Sequence, residues 1–249
     1  SVFFSPNYNL GEADRIIVLF TRAHGLLRCV AKGVRRTRSR FGARLEPFTL
    51  IDVQIYPGRN LNTITEAVTV ETFNARIVAD YERYTAAASV LEAVERLLGE
   101  EEQPNPQLFD LTVGVMGALS YGRRSPQQMV DTYLLRAMAE AGWAPELDKC
   151  AVCGAEGPHQ AFHPAAGGVV CVKHRPPGSA TPMAGVLEYL RSLRDARWDR
   201  ADSIAGDKKL GRRVQEEAHQ LIVSHLQWHT ERKITAFDLA AEAERGHWR

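Results

Sequence analysis

The chain has 249 residues, enough for one large domain or two to three small ones. Its 45% hydrophobic and 24% charged content is that of a folded protein and not of a disordered one, and apolar runs such as Ile16 to Phe20 are too short to span a bilayer. The net charge of +1 conceals an asymmetry: residues 1–45 hold nine of the 31 basic side chains against two acidic ones, leaving 22 basic and 28 acidic over the rest, and a basic head on an acidic body points to an anionic partner for the head.

In chain order, the first seventy residues read as β. Ile16 to Phe20 and Leu26 to Lys32 are short apolar runs joined by Thr21-Arg22-Ala23-His24-Gly25, a loop ending in glycine that suits a hairpin. Phe48 to Tyr56 alternates as a half-buried strand should, Pro57-Gly58-Arg59-Asn60 marks a turn, and Leu61 to Val70 supplies a further strand. Val2-Phe3-Phe4 adds another. Four or five short strands linked by turns predict a small barrel or sandwich. Cys29, in an apolar stretch, is expected to be a buried strand residue.

Beyond Val70 the period changes to 3.6. One helix is expected from Glu71 to Leu98, with Ile77, Tyr81, Tyr84, Ala88, Leu91, Val94 and Leu98 on its apolar stripe. Residues 101–106 form a proline-bearing linker, and Leu108 to Leu119 and Pro126 to Ala141 read as two more helices, the second opened by Ser125-Pro126 and closed by Gly142. Two further helices are expected over Met183 to Ala196 and Leu210 to His229. Arg191, Arg194, Arg197 and Arg200 read as a solvated face interleaved with Glu188, Asp195 and Asp199. His225 and His229 stand four apart on the last helix; with no carboxylate or cysteine to complete a ligand set, they read as packed or surface histidines.

Between these helix groups lies Cys150-x2-Cys153, then seventeen residues, then Cys171-x2-His174. Two ligand pairs, each two residues apart, can close a tetrahedron around zinc, because one tight turn presents both members of a pair. Four protein ligands leave no open position, so one structural Zn2+ is expected, and not a catalytic one. Ala165-Ala166-Gly167-Gly168 makes a hairpin reversal inside the module plausible. His159 and His163 are alternatives for the fourth ligand; the spacing from Cys171 favours His174.

The stretch from Lys32 to Arg44 packs six cations into thirteen residues: Lys32, Arg35, Arg36, Arg38, Arg40 and Arg44. As a loop between strands it can wrap a phosphate backbone, and arginine suits this because its fork grips phosphate and its plane stacks on bases. Phe41 interleaves an aromatic ring expected to stack on an unpaired base. A second basic cluster, Lys208, Lys209, Arg212 and Arg213, opens the last helix, where cations oppose the helix dipole. It is a further candidate DNA contact. The chain lacks a phosphate-binding Gly-x4-Gly-Lys loop, a Gly-x-Gly-x2-Gly turn, a His-Glu-x2-His pair and a Gly-x-Ser-x-Gly elbow, so a binding factor is expected in place of an enzyme. With no leader segment evident, the expected compartment is the cytoplasm.

Gly11-Glu12-Ala13-Asp14-Arg15-Ile16, Leu19-Phe20-Thr21, His24-Gly25, Ala31-Lys32-Gly33-Val34-Arg35-Arg36, Arg38-Ser39-Arg40-Phe41-Gly42 and Leu45-Glu46-Pro47-Phe48 run in an order that resembles the N-terminal signature of the RecO family of bacterial recombination mediators. The resemblance implies an α+β multidomain chain: an N-terminal OB-fold β-barrel over residues 1–72, an α-helical domain over 73–146 and 179–249, and a zinc-binding module inserted at 147–178. It implies a non-enzymatic factor at the nucleoid that binds single- and double-stranded DNA and anneals complementary strands. With RecR, such a factor helps load the RecA recombinase onto strands covered by single-stranded-DNA-binding protein. Carried over, Arg15, Lys32, Arg35, Arg36, Arg38, Arg40 and Arg44 become DNA contacts, and Cys150, Cys153, Cys171 and His174 become the zinc ligands. The alternative of another class is a protein-interaction adaptor whose basic loop docks an acidic partner tail.

Overall fold

Alternating apolar residues near the N-terminus fold into one mixed sheet. The structure is a computed structural model that describes residues 2–4, 8–10, 13–34, 39, 41–59, 61–99, 103–122 and 124–230. Its sheet comprises β1 (Val2–Phe4), β2 (Tyr8–Leu10), β3 (Asp14–Thr21), β4 (Gly25–Ala31), β5 (Thr49–Tyr56) and β6 (Asn62–Thr72), in the order β1-β5-β6-β4-β3-β2. β2 is a strand that the sequence pattern does not indicate. β1 pairs with β3 over Val2↔Thr21 to Phe4↔Leu19 and meets β5 only at Val2↔Ile51, so the sheet rolls into a barrel without a full closing seam. β4 and β6 run parallel, Cys29 opposite Asn62. Register shifts at Leu50/Ile51 and Gln54/Ile55 bend the β5–β6 ribbon.

The inward residues explain the curl. Ile17 pairs with Cys29 and Leu19 with Leu27 across the hairpin, and these side chains cluster with Ile51, Ile64, Phe41 and Leu45. Cys29 is fully buried, as expected, and burial pushes its thiol up to about 11. The hairpin tip is fixed by the His24 N–H donating to Thr21 Oγ1 at 2.9 Å and by Gly25 at φ +66°. A Cβ on Gly25 would run into the Gln103 backbone carbonyl. Gly25→Ala therefore meets both a left-handed backbone and a steric block. It is expected to cost about 1–3 kcal/mol, read as a lowered thermal midpoint; an unchanged midpoint would contradict the packing described.

The single helix expected from Glu71 to Leu98 is divided. β6 continues to Thr72, α1 spans Asn74–Val78 and α2 spans Tyr81–Leu98. Asp80 is extended between them, and its carboxylate accepts the Arg83 N–H at 3.0 Å. An aspartate able to cap a new helix competes with continuation of the old one. The break rotates the stripe: Tyr81 and Tyr84 are exposed, and Ala86, Ala87, Val90, Leu91, Ala93 and Val94 face inward. α3 spans Pro106–Tyr121, starting earlier than expected because Asn105 caps it through the Leu108 N–H at 2.9 Å. Phe20 meets Phe109 at 5.3 Å between ring centroids, holding the hairpin to α3.

The chain divides into two compact units, one running through Pro126 and the other beginning at Gln127. The second holds α4 (Pro126–Glu140) beyond its first residue, the hairpin β7 (Ala161–His163) and β8 (Gly168–Val170), α5 (Val186–Arg194), α6 (Trp198–Ala205) and α7 (Gly211–Thr230). The Pro164–Ala166 turn and Gly167 make the reversal expected between the cysteine pairs. α6 has no counterpart among the expected helices, since eight residues give barely two turns of period. Buried Val214, Ala218, Leu221, Ile222, His225 and Leu226 form the inner stripe of α7. Among the described residues no helix is long and apolar enough to cross a membrane.

Candidate metal centre and basic surface

Two turns present the metal-type donors. The Cys150 N–H donates to Ala155 O at 2.9 Å and the Gly154 N–H to Cys150 O at 2.8 Å, folding Cys150 to Cys153 into a tight loop. The β7–β8 hairpin returns the chain so that the Ala151 N–H reaches Val169 O at 2.8 Å, which sets Cys171 beside Cys150. A one-turn helix over Val172–His174 then brings round His174.

The three sulfurs and one ring nitrogen all lie within 4.8 Å of one another. Cys153 Sγ is 3.9 Å from Cys171 Sγ, and Cys171 Sγ is 3.2 Å from His174 Nδ1. Thiolates on a tetrahedral zinc stand roughly 3.8 Å apart, from metal–sulfur bonds of about 2.3 Å, so this donor set has the size and chemistry to hold a metal ion. Cys150 is 2% exposed, and its sulfur accepts the Cys171 N–H at 3.3 Å. That bond first, then the Cys153 and Val152 N–H groups, bring the Cys150 thiol down to about 6 against the opposing effect of burial. A sulfur so held favours the thiolate that a metal needs.

His174 is the histidine of the group. His159 instead donates from Nε2 to Ala155 O at 2.8 Å, and neither it nor His163 joins the four donors.

The arginine row runs from α5 (Arg191, Arg194) into the start of α6 (Arg197, Arg200) and is not merely solvated. Arg191 donates from Nε and Nη2 to Leu147 O at 3.0 and 2.8 Å and lies 3.1 Å from Asp148. Arg194 reaches Asp148 at 2.7 Å. These side chains clamp the segment that leads into Cys150. A three-residue period shows that they share a face, but it gives no sign of what that face meets. The outer members, Arg197 and Arg200, pair with Asp195 and Glu188 at the surface.

In the first unit, Arg15 lies opposite Ala31 in the β3–β4 ladder and is half-buried, and Lys32 is exposed just past β4. The Gly33 N–H donates to Asp14 Oδ1 at 2.8 Å, tying the root of the basic segment to the start of β3. Arg35, Arg36, Arg38 and Arg40 lie outside the described residues. Phe41, expected to stack on a base, is instead 2% exposed and packed among Ile17, Leu19 and Ile64. Its burial contributes about 1.5–3 kcal/mol to the barrel. Arg44 is exposed on the turn that follows, Gly42–Leu45.

Lys208, Lys209, Arg212 and Arg213 are exposed around the start of α7. The Leu210 and Lys209 N–H groups hold the Asp207 carboxyl below its ordinary range, which places a negative charge where those cations oppose the helix dipole. Arg212 pairs with Glu216 at 2.7 Å.

Both parts of the chain match family models. The one described as recombination protein O N terminal matches residues 6–73, and the one described as recombination protein O C terminal matches residues 78–236.

Proposed function

The chain belongs to the recombination protein O (RecO) family of DNA recombination and repair mediators, and from that membership we propose that it binds single- and double-stranded DNA and anneals complementary strands without nucleotide. It acts with RecR to load RecA onto strands covered by single-stranded-DNA-binding protein. The rolled sheet is read as an OB-fold barrel: its order, with β4 and β6 parallel, suits that family. Domain limits at residues 72 and 146, with a module over 147–178, go with this reading.

The observation that carries it is the mounting of the basic segment. It leaves the barrel at exposed Lys32, beside Arg15 and with Gly33 tied to Asp14, and returns through buried Phe41 to exposed Arg44. Both described ends of the segment are therefore fixed at the barrel, with Lys32 and Arg44 exposed there. Arg15, Lys32, Arg35, Arg36, Arg38, Arg40 and Arg44 neutralise phosphates there, lowering the repulsion between two strands and leaving their bases open to pairing. Lys208, Lys209, Arg212 and Arg213 are proposed as a second contact. Phe41 acts by anchoring the loop. Cys150, Cys153, Cys171 and His174 hold one Zn2+, whose chemistry when bound is structural: it ties the two turns of the module together.

The test replaces Arg35, Arg36, Arg38 and Arg40 together with alanine and follows a labelled oligonucleotide across salt concentrations. Each single-strand phosphate contact contributes about 0.7 to the slope of log affinity against log salt, so the slope is expected to flatten by up to about 3. Annealing of strands coated with single-stranded-DNA-binding protein should slow in parallel. An unchanged slope would remove the loop from the interface.

A further inference from the structure

The four cysteines differ in what can reach them. Cys29 is fully buried in the barrel and its thiol is pushed up to about 11, so it is neither accessible nor ionised at neutral pH. Cys150 is buried too, and its sulfur is held by the Cys171 N–H at 3.3 Å. Cys153 is exposed and Cys171 half-buried, and their sulfurs lie 3.9 Å apart. His174 Nδ1 stands 3.2 Å from the Cys171 sulfur, and Lys173 and Arg175 are exposed on either side of that histidine. An accessible sulfur is thus set beside a second one, with cations close by in the chain. Cysteines that react with oxidants have such surroundings.

We propose that Cys153 is an oxidation site for hydroperoxides, and that Cys171 resolves the product into a Cys153–Cys171 disulfide that dismantles the donor set. This rests on the reading that the four donors hold zinc. Coordination keeps a thiol as the nucleophilic thiolate. It overrides the rise that, against an N–H bond from Ala155, the Cys150 and Cys171 sulfurs impose on the Cys153 thiol. The Cys153 thiolate attacks one oxygen of hydrogen peroxide, the O–O bond breaks, and the departing hydroxide takes a proton, leaving a sulfenic acid. The Cys171 thiolate then attacks the Cys153 sulfur: the S–S bond forms, the S–O bond breaks, and a second hydroxide leaves as water. Two thiolates, one peroxide and two protons give one disulfide and two waters, the sulfurs losing the two electrons that peroxide gains. Cys150 is the poorer resolving partner, since the Cys171 N–H holds its sulfur inward. The reacting sulfurs must close from 3.9 Å to about 2.05 Å. Nothing lies within 4 Å of a Cβ placed on Gly154, so the turn that carries Cys153 borders open space. Cys150 and His174 are then the donors left, too few to retain a tetrahedral ion.

The test uses the full chain, purified reduced, with its zinc content measured first. A chain that binds no zinc sinks the four-donor reading, whereas the position of the first disulfide decides the inference itself. Hydrogen peroxide is added in graded doses, a chromogenic chelator reads released zinc, and alkylation with non-reducing peptide mapping places the disulfide. One ion released per Cys153–Cys171 disulfide is expected, reversed when dithiothreitol and zinc are restored. With dimedone present during exposure, the sulfenic acid adduct should fall on Cys153. Cys171→Ser should abolish the disulfide and increase that adduct. Because this variant also lacks a donor, the adduct on the parent chain gives the reading that does not depend on the variant folding. A first disulfide that includes Cys150 overturns the proposal, as does an adduct on another cysteine. So do three cysteines of the module still reduced at a dose that fully oxidises glutathione.

Discussion

Cys150→Ala is expected to empty the metal centre and to unfold the module around it, with metal content falling from one ion per chain to near none. Structural zinc in small modules contributes binding free energy on the order of 10 kcal/mol, and losing one of four ligands forfeits most of it. The loss should be most complete at Cys150, which is buried and receives the Cys171 N–H. Its removal opens the contact between the two turns as well as one coordination position. Amide exchange should therefore rise at Ala151, whose N–H ties the Cys150 turn to Val169 O, and at Cys171, whose N–H reaches the Cys150 sulfur. Val172→Ser, at a side chain 94% exposed within the same module, should change neither the metal content nor the exchange. A Cys150→Ala protein that keeps both its ion and its protection would show that the four donors are not the ligand set.

The four-donor group is largely legible in the sequence, because the spacing of such donors is a local constraint. A Cys-x2-Cys turn and a Cys-x2-His turn each fix their own geometry, and the reversal at Pro164–Ala166 needs only short-range turn chemistry. The β3–β4 hairpin is legible for the same reason, with Gly25 at its end. What fails to show depends on competition or on distant partners. A helical period runs unbroken across Asp80, yet the aspartate caps a new helix there and turns Tyr81 and Tyr84 to solvent. Phe41 sits in a run of cations and reads as part of their surface, but packing the ring among Ile17, Leu19 and Ile64 removes its apolar area from water. The buried, unpartnered Nδ1 of His225 and Nε2 of His229 follow from packing against Trp143 and Phe162, which no spacing on α7 encodes.

Arg191 tests how far the helices support the metal centre. Its guanidinium makes two hydrogen bonds to the Leu147 carbonyl and an ion pair with Asp148, and its side chain is 23% exposed. Hydrogen bonds from a charged donor contribute about 1.5–3 kcal/mol, and the Leu147 carbonyl has no equal substitute once the fork is gone. Arg191→Ala is expected to destabilise the second unit by about 2–4 kcal/mol, read from the denaturant midpoint. Arg191→Lys should recover less than half of this, since an ammonium cannot span the two positions of a planar fork. Arg194→Ala removes surface ion pairs to Asp148 and Asp195 and should cost under about 1 kcal/mol. The consequence for the metal is kinetic. Leu147 lies three residues before Cys150, so releasing its carbonyl frees the first turn to open. Zinc transfer to a chromogenic chelator should run several-fold faster in Arg191→Ala than in Arg194→Ala. Equal rates in the two variants would mean that the module holds its ion without help from α5.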